Sequence, residues 1–322
     1  MKVFEGKDIS LKNKSVVAIG KFDAFHIGHR EILKTLVNEA KLAGDDCLSV
    51  AVTFMPLPDV YFGKSDKRNL FTYDDKLKMF ERAGIDAVCI LPFDEETAHM
   101  SADSFIRDFL KDRLNCVGIV GGEDISFGFM GEGNREFLIA NGEKYGLKTI
   151  ICPEVYHGGE VISSSLIRKN LENANIGAVN EMLGFPYHIG AIVEKGKHLG
   201  TRLGFPTVNF KDNGELFLPG GGVYLTVSKI DAGGESFFYP SMTNVGVRPT
   251  VSDSGEITVE TYISGVDEDL YGDFVTVYFA DFLRNEVKFD STDELTAQLK
   301  KDKDEVEAFD VNAFLSAYKE KM

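Results

Sequence analysis

No apolar run in the 322-residue chain approaches the roughly 20 residues that cross a bilayer, so nothing in it reads as a membrane span. The opening MKVFEGKDISLKNKS mixes charges with single apolar residues and lacks the continuous apolar stretch of an export signal. The expectation is a cytoplasmic protein. Cysteine is scarce: Cys47, Cys89, Cys116 and Cys152 stand far apart, with no close pair and no histidine at ligand spacing. That pattern excludes a zinc finger and a disulfide framework and leaves buried, reduced thiols. Basic residues are outnumbered, 35 Lys and Arg against 51 Asp and Glu, for a net charge of −16. Such a surface opposes nucleic acid and anionic membranes as partners, so an anionic small molecule would need locally gathered donors. No internal repeat or heptad is readable, and nothing indicates an oligomeric state.

What is present is an ordinary folded composition, 43% hydrophobic and 27% charged. In the first half, short β-rich runs (16–19, 48–54, 87–91, 117–120, 149–152) alternate with stretches of helical period (30–43, 73–83, 102–114, 135–145). Continuous apolar strands separated by helices predict a doubly wound parallel sheet, whose ligands bind beyond the carboxyl ends of its strands. A further helix is expected over 163–183, and the pattern changes at Gly184-Phe185-Pro186. Beyond it the helical period vanishes. Strands over 187–194, 222–229, 237–244, 257–263 and 274–282, punctuated by Gly, Asp, Asn and Pro, predict a small antiparallel barrel or sandwich. A helix over 292–321 closes the chain. The expected domains are 1–184 and 185–322.

Two stretches carry chemistry. In GKFDAFHIGHREIL, residues 20–33, a strand hands over to a helix, and the turn from Gly20 to Gly28 holds His26 and His29. A helix N-terminus at this rim offers free N–H groups to phosphate, the imidazoles add donors, and Gly28 permits close approach. Two histidines apart from such a rim would more often be structural. In GKHLGTRLGFPTVNF, residues 196–210, Gly196, Gly200 and Gly204 make a loop able to wrap phosphates before Pro206-Thr207-Val208-Asn209 enters a strand. Glycine-rich loops are common in barrels, and alone this one would carry little. The serines 163–165 alone would read as a helix N-cap, with Arg168 a turn further on able to fork onto an oxyanion; Asp124 alone would read as a turn residue.

G-x-F-D-x-x-H-x-G-H resembles the phosphate signature of nucleotidyltransferases, GGEDISFGFMGEG (121–133) a flavin adenylyltransferase stretch, and ISSSLIR (162–168) its second phosphate motif. Gly-Phe-Pro-Thr-x-Asn resembles riboflavin kinases, followed in that family's order by GVYLT, TNVGVRPT, VETYI and DLYGDFVTVYFADFLRNEVKF. Together the segments cover about Val16 to Asp302 and resemble the bacterial bifunctional riboflavin kinase/FMN adenylyltransferases, the FAD synthetase family. The resemblance implies a nucleotidyltransferase domain followed by a riboflavin kinase barrel, with ATP, Mg²⁺, riboflavin, FMN and FAD as the small molecules handled. His26, His29 and Arg168 would stabilise charge in adenylyl transfer, beside Gly20, Phe22, Asp23, Gly28, Asp124, Ser163 and Ser164 as nucleotide or flavin contacts. In the kinase, Glu260 would be the general base, Thr207 and Asn209 the metal ligands, and Gly200, Gly204, Asn244 and Arg248 binding residues.

Several positions depart from the pattern. Ala24 stands where the family has glycine, and TFMPLP (53–58) puts Met55 and Leu57 in place of Asp and His. FGFMGEGN lacks the usual basic residues, Thr201 precedes Arg202 where arginine is expected first, and Tyr262 replaces histidine. A second reading therefore keeps the kinase and makes the first domain a nucleotide-binding or interaction module. A flavin or nucleotide sensor, and an adenylyltransferase with another acceptor, are further alternatives.

Overall fold

The computed structural model describes residues 1–63, 68–194, 205–211, 214–248, 256–266 and 268–318, without the side chains of Lys211, Val247, Arg248 and Glu256. The chain divides into two compact units, Met1–Lys67 with Thr72–Ser163, and Arg68–Phe71 with Ser164–Met322. The helices that precede Gly184 therefore pack with the second unit, although the periodicity of the sequence changes only at that glycine.

The first unit is built on a parallel sheet of β1 (Lys2–Glu5), β2 (Ser15–Ile19), β3 (Leu48–Met55), β4 (Ala87–Pro92), β5 (Cys116–Gly122) and β6 (Lys148–Cys152), in the order β1-β4-β3-β2-β5-β6. The five predicted strands are present. The edge strand β1 was not expected, because its mixed charges hide a parallel register from Lys2 opposite Ala87 to Glu5 opposite Ile90. Helix α1 (Ile27–Ala43) buries Leu33, Leu36 and Ala40 and packs on β2, β3 and β5. Phe105, Ile106, Phe109 and Leu110 cluster with Val17, Ile19, Val50 and Val52. The helix expected over 102–114 widens to π geometry at Phe105–Lys111, and α2 spans Tyr73–Arg82. The chain runs outward from β2 through β3 to β4, then returns to place β5 on the other side of β2. The loop after β2 thus sits where the winding reverses, the crevice in which such sheets hold ligands.

In the second unit the helix expected over 163–183 is two, α3 (Ser164–Glu172) and α4 (Ile176–Leu183), parted where Ala174 takes a left-handed φ of 56°. Six antiparallel strands follow: β7 (His188–Ile192), β8 (Thr207–Lys211), β9 (Gly222–Ala232), β10 (Glu235–Arg248), β11 (Glu256–Ile263) and β12 (Phe274–Arg284), ordered β7-β12-β9-β10-β11-β8. A bridge from Glu194 to Asn209, with Glu194 N–H donating to the Asn209 carbonyl at 2.9 Å, joins the two ends of that order and closes a small barrel. Its interior is partly polar. Thr226, Ser228, Ser241, Thr243 and Thr261 are buried and pair hydroxyl to hydroxyl at 2.8–2.9 Å across β9, β10 and β11.

The opposite face of β9–β11 presents Val223, Leu225, Met242 and Tyr262, which pack with Phe205 and, from α5 (Thr292–Glu307), Val306 and Leu299. The expected single C-terminal helix breaks after α5, where Asp310 accepts from Ala313 N–H and α6 (Val311–Tyr318) begins. Asp302 of α5 is buried and receives Arg284 Nε at 3.0 and 3.1 Å, Arg284 Nη2 at 2.7 Å and Gln298 Nε2 at 2.8 Å. Removing one partner of a buried pair strands the other charge. Asp302→Ala is therefore expected to cost the second unit about 3 kcal/mol or more, read as a lower urea midpoint at an unchanged slope. Among the described residues no helix is long and apolar enough to cross a membrane.

Candidate functional site

The loop after β2 is held in an unusual shape by aromatic packing. Phe22 and Phe25 both take left-handed φ values, 42° and 48°, and both rings meet Phe80 of α2 edge-on, at 5.4 and 4.7 Å. Side chains in that region cost on the order of 1 kcal/mol each, so buried ring contacts must hold them there. Gly20 leaves room for this: a Cβ there would sit 3.0 Å from the Phe22 ring. Ala24 is fully buried in the same turn. Asp23, also buried, pairs with Lys76 of α2 at 3.4 Å.

His26 is the N-cap of α1. Its Nδ1 accepts from the His29 N–H at 3.2 Å, and the two imidazoles stack at 3.8 Å with planes 16° apart. A Cβ on Gly28 would come within 3.1 Å of His26 Nδ1, so glycine gives the capping ring its space. Burial pushes His26 down to about 4 against the pull of Asp23. His29 lies well below its ordinary value, first through burial and then through His26. Both rings are therefore neutral near neutral pH. With Nδ1 accepting, the His26 proton resides on Nε2, which leaves an N–H donor rather than a cation. His29 Nδ1 is buried and has no hydrogen-bond partner among the described residues. Because the unfolded chain binds a proton to these rings near pH 6.5 and the folded chain does not, their contribution to stability is present above pH 6.5. It is lost as pH falls toward about 4. Chemical denaturation between pH 7 and pH 4 should show a decline that is shallower in His26→Gln.

Asp124 is exposed in the turn after β5, and a Cβ on Gly122 would lie 2.8 Å from its Oδ1 and 3.4 Å from Ile32 of α1. Asp124 thus folds back over the end of the strand beside β2. At the end of β3, Met55 is 51% exposed and Leu57 half-buried. A carboxylate missed by sequence reasoning appears one step on, where Asp59 pairs with Lys21. In 127–134, Gly128 lies against the Ala102 backbone, Glu132 accepts the Ala102 N–H at 2.6 Å, and Phe129 stacks on His99.

Arg168 belongs to the second unit. Its Nη2 donates to the Arg68 carbonyl at 3.1 Å, and its guanidinium lies 5.4 Å from the centre of the Phe217 ring. Ser164 begins α3 and, like Ser163, is half-buried.

On the barrel, the register assembles what the sequence scatters. Asn209 of β8 stands opposite Glu260 of β11, which stands opposite Asn244 of β10. Thr207, two residues before Asn209, faces Tyr262. Alternation along a strand puts all of these on one face, the face whose other end is the apolar patch under α5. Asn209 Nδ2 donates to the Thr207 carbonyl at 3.3 Å, leaving its Oδ1 as the available end of the amide. Asn244 Nδ2 donates to Glu286 Oε1 at 3.0 Å. Gly200, Gly204 and the Thr201-Arg202 pair lie outside the described residues, as does the side chain of Arg248.

The described residues contain no group of three or more His, Cys, Asp or Glu that could hold a metal. A Mg²⁺ held jointly by substrate phosphates needs only one or two protein oxygens, and the Thr207 hydroxyl with Asn209 Oδ1 fits that demand. The neutral His pair at a helix N-terminus suits an anion that must be bound by hydrogen bonds rather than by net charge.

Residues 8–166 match the FAD synthetase family, and residues 183–309 match the riboflavin kinase family. The chain is 32% identical to a bifunctional riboflavin kinase/FMN adenylyltransferase from Haemophilus influenzae, over 91% of this chain and 93% of that one. Proteins of the same description from Escherichia coli K12 and Bacillus subtilis are 32% and 31% identical, over 89% and 91% of this chain and 90% and 91% of theirs. A crystal structure described as a macrolide-efflux protein from Streptococcus pneumoniae superposes with a TM-score of 0.86 at 28% identity, covering 96% of this chain and 100% of that one.

Proposed function

We propose a division of labour between the two units of a chain that belongs to the bifunctional riboflavin kinase/FMN adenylyltransferase family: the barrel phosphorylates riboflavin, and the parallel-sheet unit joins AMP to the FMN produced. The observation that carries the reading is the row Asn209–Glu260–Asn244, in which strand register brings a carboxylate and two amides from three separate motifs onto one face.

In the barrel, Glu260 takes the proton from the ribityl hydroxyl as its oxygen attacks the γ-phosphorus of ATP, and ADP leaves. A carboxylate placed within hydrogen-bond reach of the alcohol suffices for that role. Thr207 and Asn209 would hold Mg²⁺, which when bound neutralises charge on the ATP phosphates. Gly200, Gly204 and Arg248 remain proposed nucleotide or flavin contacts on the strength of their motifs.

In the first unit, a phosphate oxygen of FMN attacks the α-phosphorus of ATP and pyrophosphate departs. No protein nucleophile is required, so the protein's work is placement and stabilisation of charge. His26 supplies its Nε2–H, the N-terminus of α1 its dipole, and His29 a second ring held parallel to the first. Gly20, Phe22, Asp23 and Gly28 shape the loop that presents them, and Asp124 stands over the neighbouring strand end. Arg168, Ser163 and Ser164 stay in the proposal through their motif alone.

Product chromatography after incubation with riboflavin, ATP and Mg²⁺, with a parallel incubation begun from FMN, tests both halves. FAD is expected from either start. Accumulation of FMN with no FAD from either would leave the kinase and withdraw the adenylyltransferase. Failure to phosphorylate riboflavin would overturn the barrel assignment.

A further inference from the structure

We propose that Glu286 is a positioning residue of the kinase site: it fixes the Asn244 amide so that Oδ1 accepts a hydrogen bond from a hydroxyl of the polyol substrate. The inference rests on reading Glu260 as the base for that alcohol.

An asparagine amide has a donor end and an acceptor end, and a carboxylate can only accept. The 3.0 Å contact between Asn244 and Glu286 Oε1 therefore commits Nδ2 to Glu286 and leaves Oδ1 as the other end. That oxygen is buried, and among the described residues it has no hydrogen-bond partner. Leaving a buried acceptor unpaired is unfavourable, a penalty that a bound donor removes. Asn244 is directly opposite Glu260, a pairing that puts Cβ atoms about 5 Å apart, so a hydroxyl-bearing chain presented to Glu260 is within reach of Asn244. The phosphates of the nucleotide offer only acceptors and cannot satisfy this oxygen. A polyol carries donors on consecutive carbons and can.

Gly246 adds an independent mark. A Cβ there would overlap Glu286 Oε1 and come within 3.2 Å of Asn244 Nδ2, so the absence of a side chain is what admits the carboxylate. The segment carrying Glu286 is in turn pinned two residues earlier, where Arg284 is locked to buried Asp302 and donates to the Asn285 carbonyl at 3.2 Å. Because the atom displaced by a larger residue at 246 is the end of a flexible side chain, Gly246→Ala should move Glu286 without unfolding the barrel.

The experiment is steady-state riboflavin kinase kinetics on the full chain, with riboflavin fluorescence titration in the presence of ADP and Mg²⁺. Glu286→Ala and Gly246→Ala are expected to raise the riboflavin KM and Kd about tenfold, with kcat and the ATP KM within twofold of wild type. Glu286→Gln, whose amide can accept from Asn244 Nδ2 but can equally donate to Oδ1, no longer commits the asparagine to one orientation and should give a riboflavin KM between wild type and Glu286→Ala. FAD formation from FMN reports an intact first unit in every variant. Unchanged riboflavin affinity in Glu286→Ala overturns the proposal, and so does a rise in the ATP KM or Mg²⁺ requirement in its place. A Glu260→Gln protein with wild-type kcat would overturn the underlying site reading instead, whatever Glu286→Ala does.

Discussion

Glu260→Gln protein is expected to phosphorylate riboflavin at least a hundredfold more slowly than wild type while converting FMN to FAD at an unchanged rate. General bases contribute about 10²–10⁴ in rate, and a glutamine of the same shape keeps the packing of β11 while losing the ability to take a proton. The loss should fall on kcat, because Asn209 and Asn244 on either side of position 260 still hold their backbone register. A single-turnover measurement with excess enzyme separates the chemical step from product release and is the decisive form of the assay. Loss of both activities would mean a global defect. Loss of neither would remove Glu260 from the reaction.

The second large effect belongs to the other unit. His26→Ala with His29→Ala should reduce FAD formation from FMN by about a thousandfold, with riboflavin phosphorylation retained. Removing one preorganised donor from a charge-stabilising site costs about 10²–10³, and this pair also includes the cap that orders the first turn of α1. The single variants should be unequal and not additive, since the His29 N–H depends on His26 Nδ1 for its partner and the rings stack. The histidine pair should add no gain in rate as pH drops from 7 to 5.5, because burial holds His26 down at about 4. The only change expected is the decline from protonation of the attacking phosphate, whose second pKa lies at about 6. A cationic imidazole mechanism would instead strengthen over that interval, so initial rates of FAD formation across it discriminate the two.

Much of the architecture could be read from residue order, for identifiable reasons. Strands buried on both faces write themselves as unbroken apolar runs, such as Val16–Ile19, and the change to alternating β-rich text after Gly184 announces the barrel. What escaped were features decided by tertiary contacts. The break at Ala174 depends on a left-handed residue that carries no glycine or proline signal. Edge strand β1 has the composition of a loop and becomes a strand only by pairing with β4. In the candidate sites, motif residues were legible because each motif is local. Their alignment was not, since Asn209, Asn244 and Glu260 meet through register rather than spacing. Lys76 and Asp59 stand outside any motif, and Glu286 lies within the last kinase segment without a pattern that marks it; all three become visible only through Asp23, Lys21 and Asn244. The neutral state of the histidine pair was also beyond the sequence, because it is set by burial.

The hydroxyls inside the barrel have a consequence for the chemistry outside it. Thr243 and Thr261 are chain neighbours of Asn244 and Glu260, and their side chains meet at 2.9 Å on the opposite side of the same two strands. An interior of branched aliphatics would tolerate β11 sliding by two residues along β10, since one methyl packs much like another. A directional hydroxyl contact does not: the slip would strand two donors in the dark of the barrel. The ladder from Ser228 through Ser241, Thr226 and Thr243 to Thr261 therefore works as a vernier, and the juxtaposition of Glu260 and Asn244 on the other face is calibrated by hydroxyls buried inside the barrel.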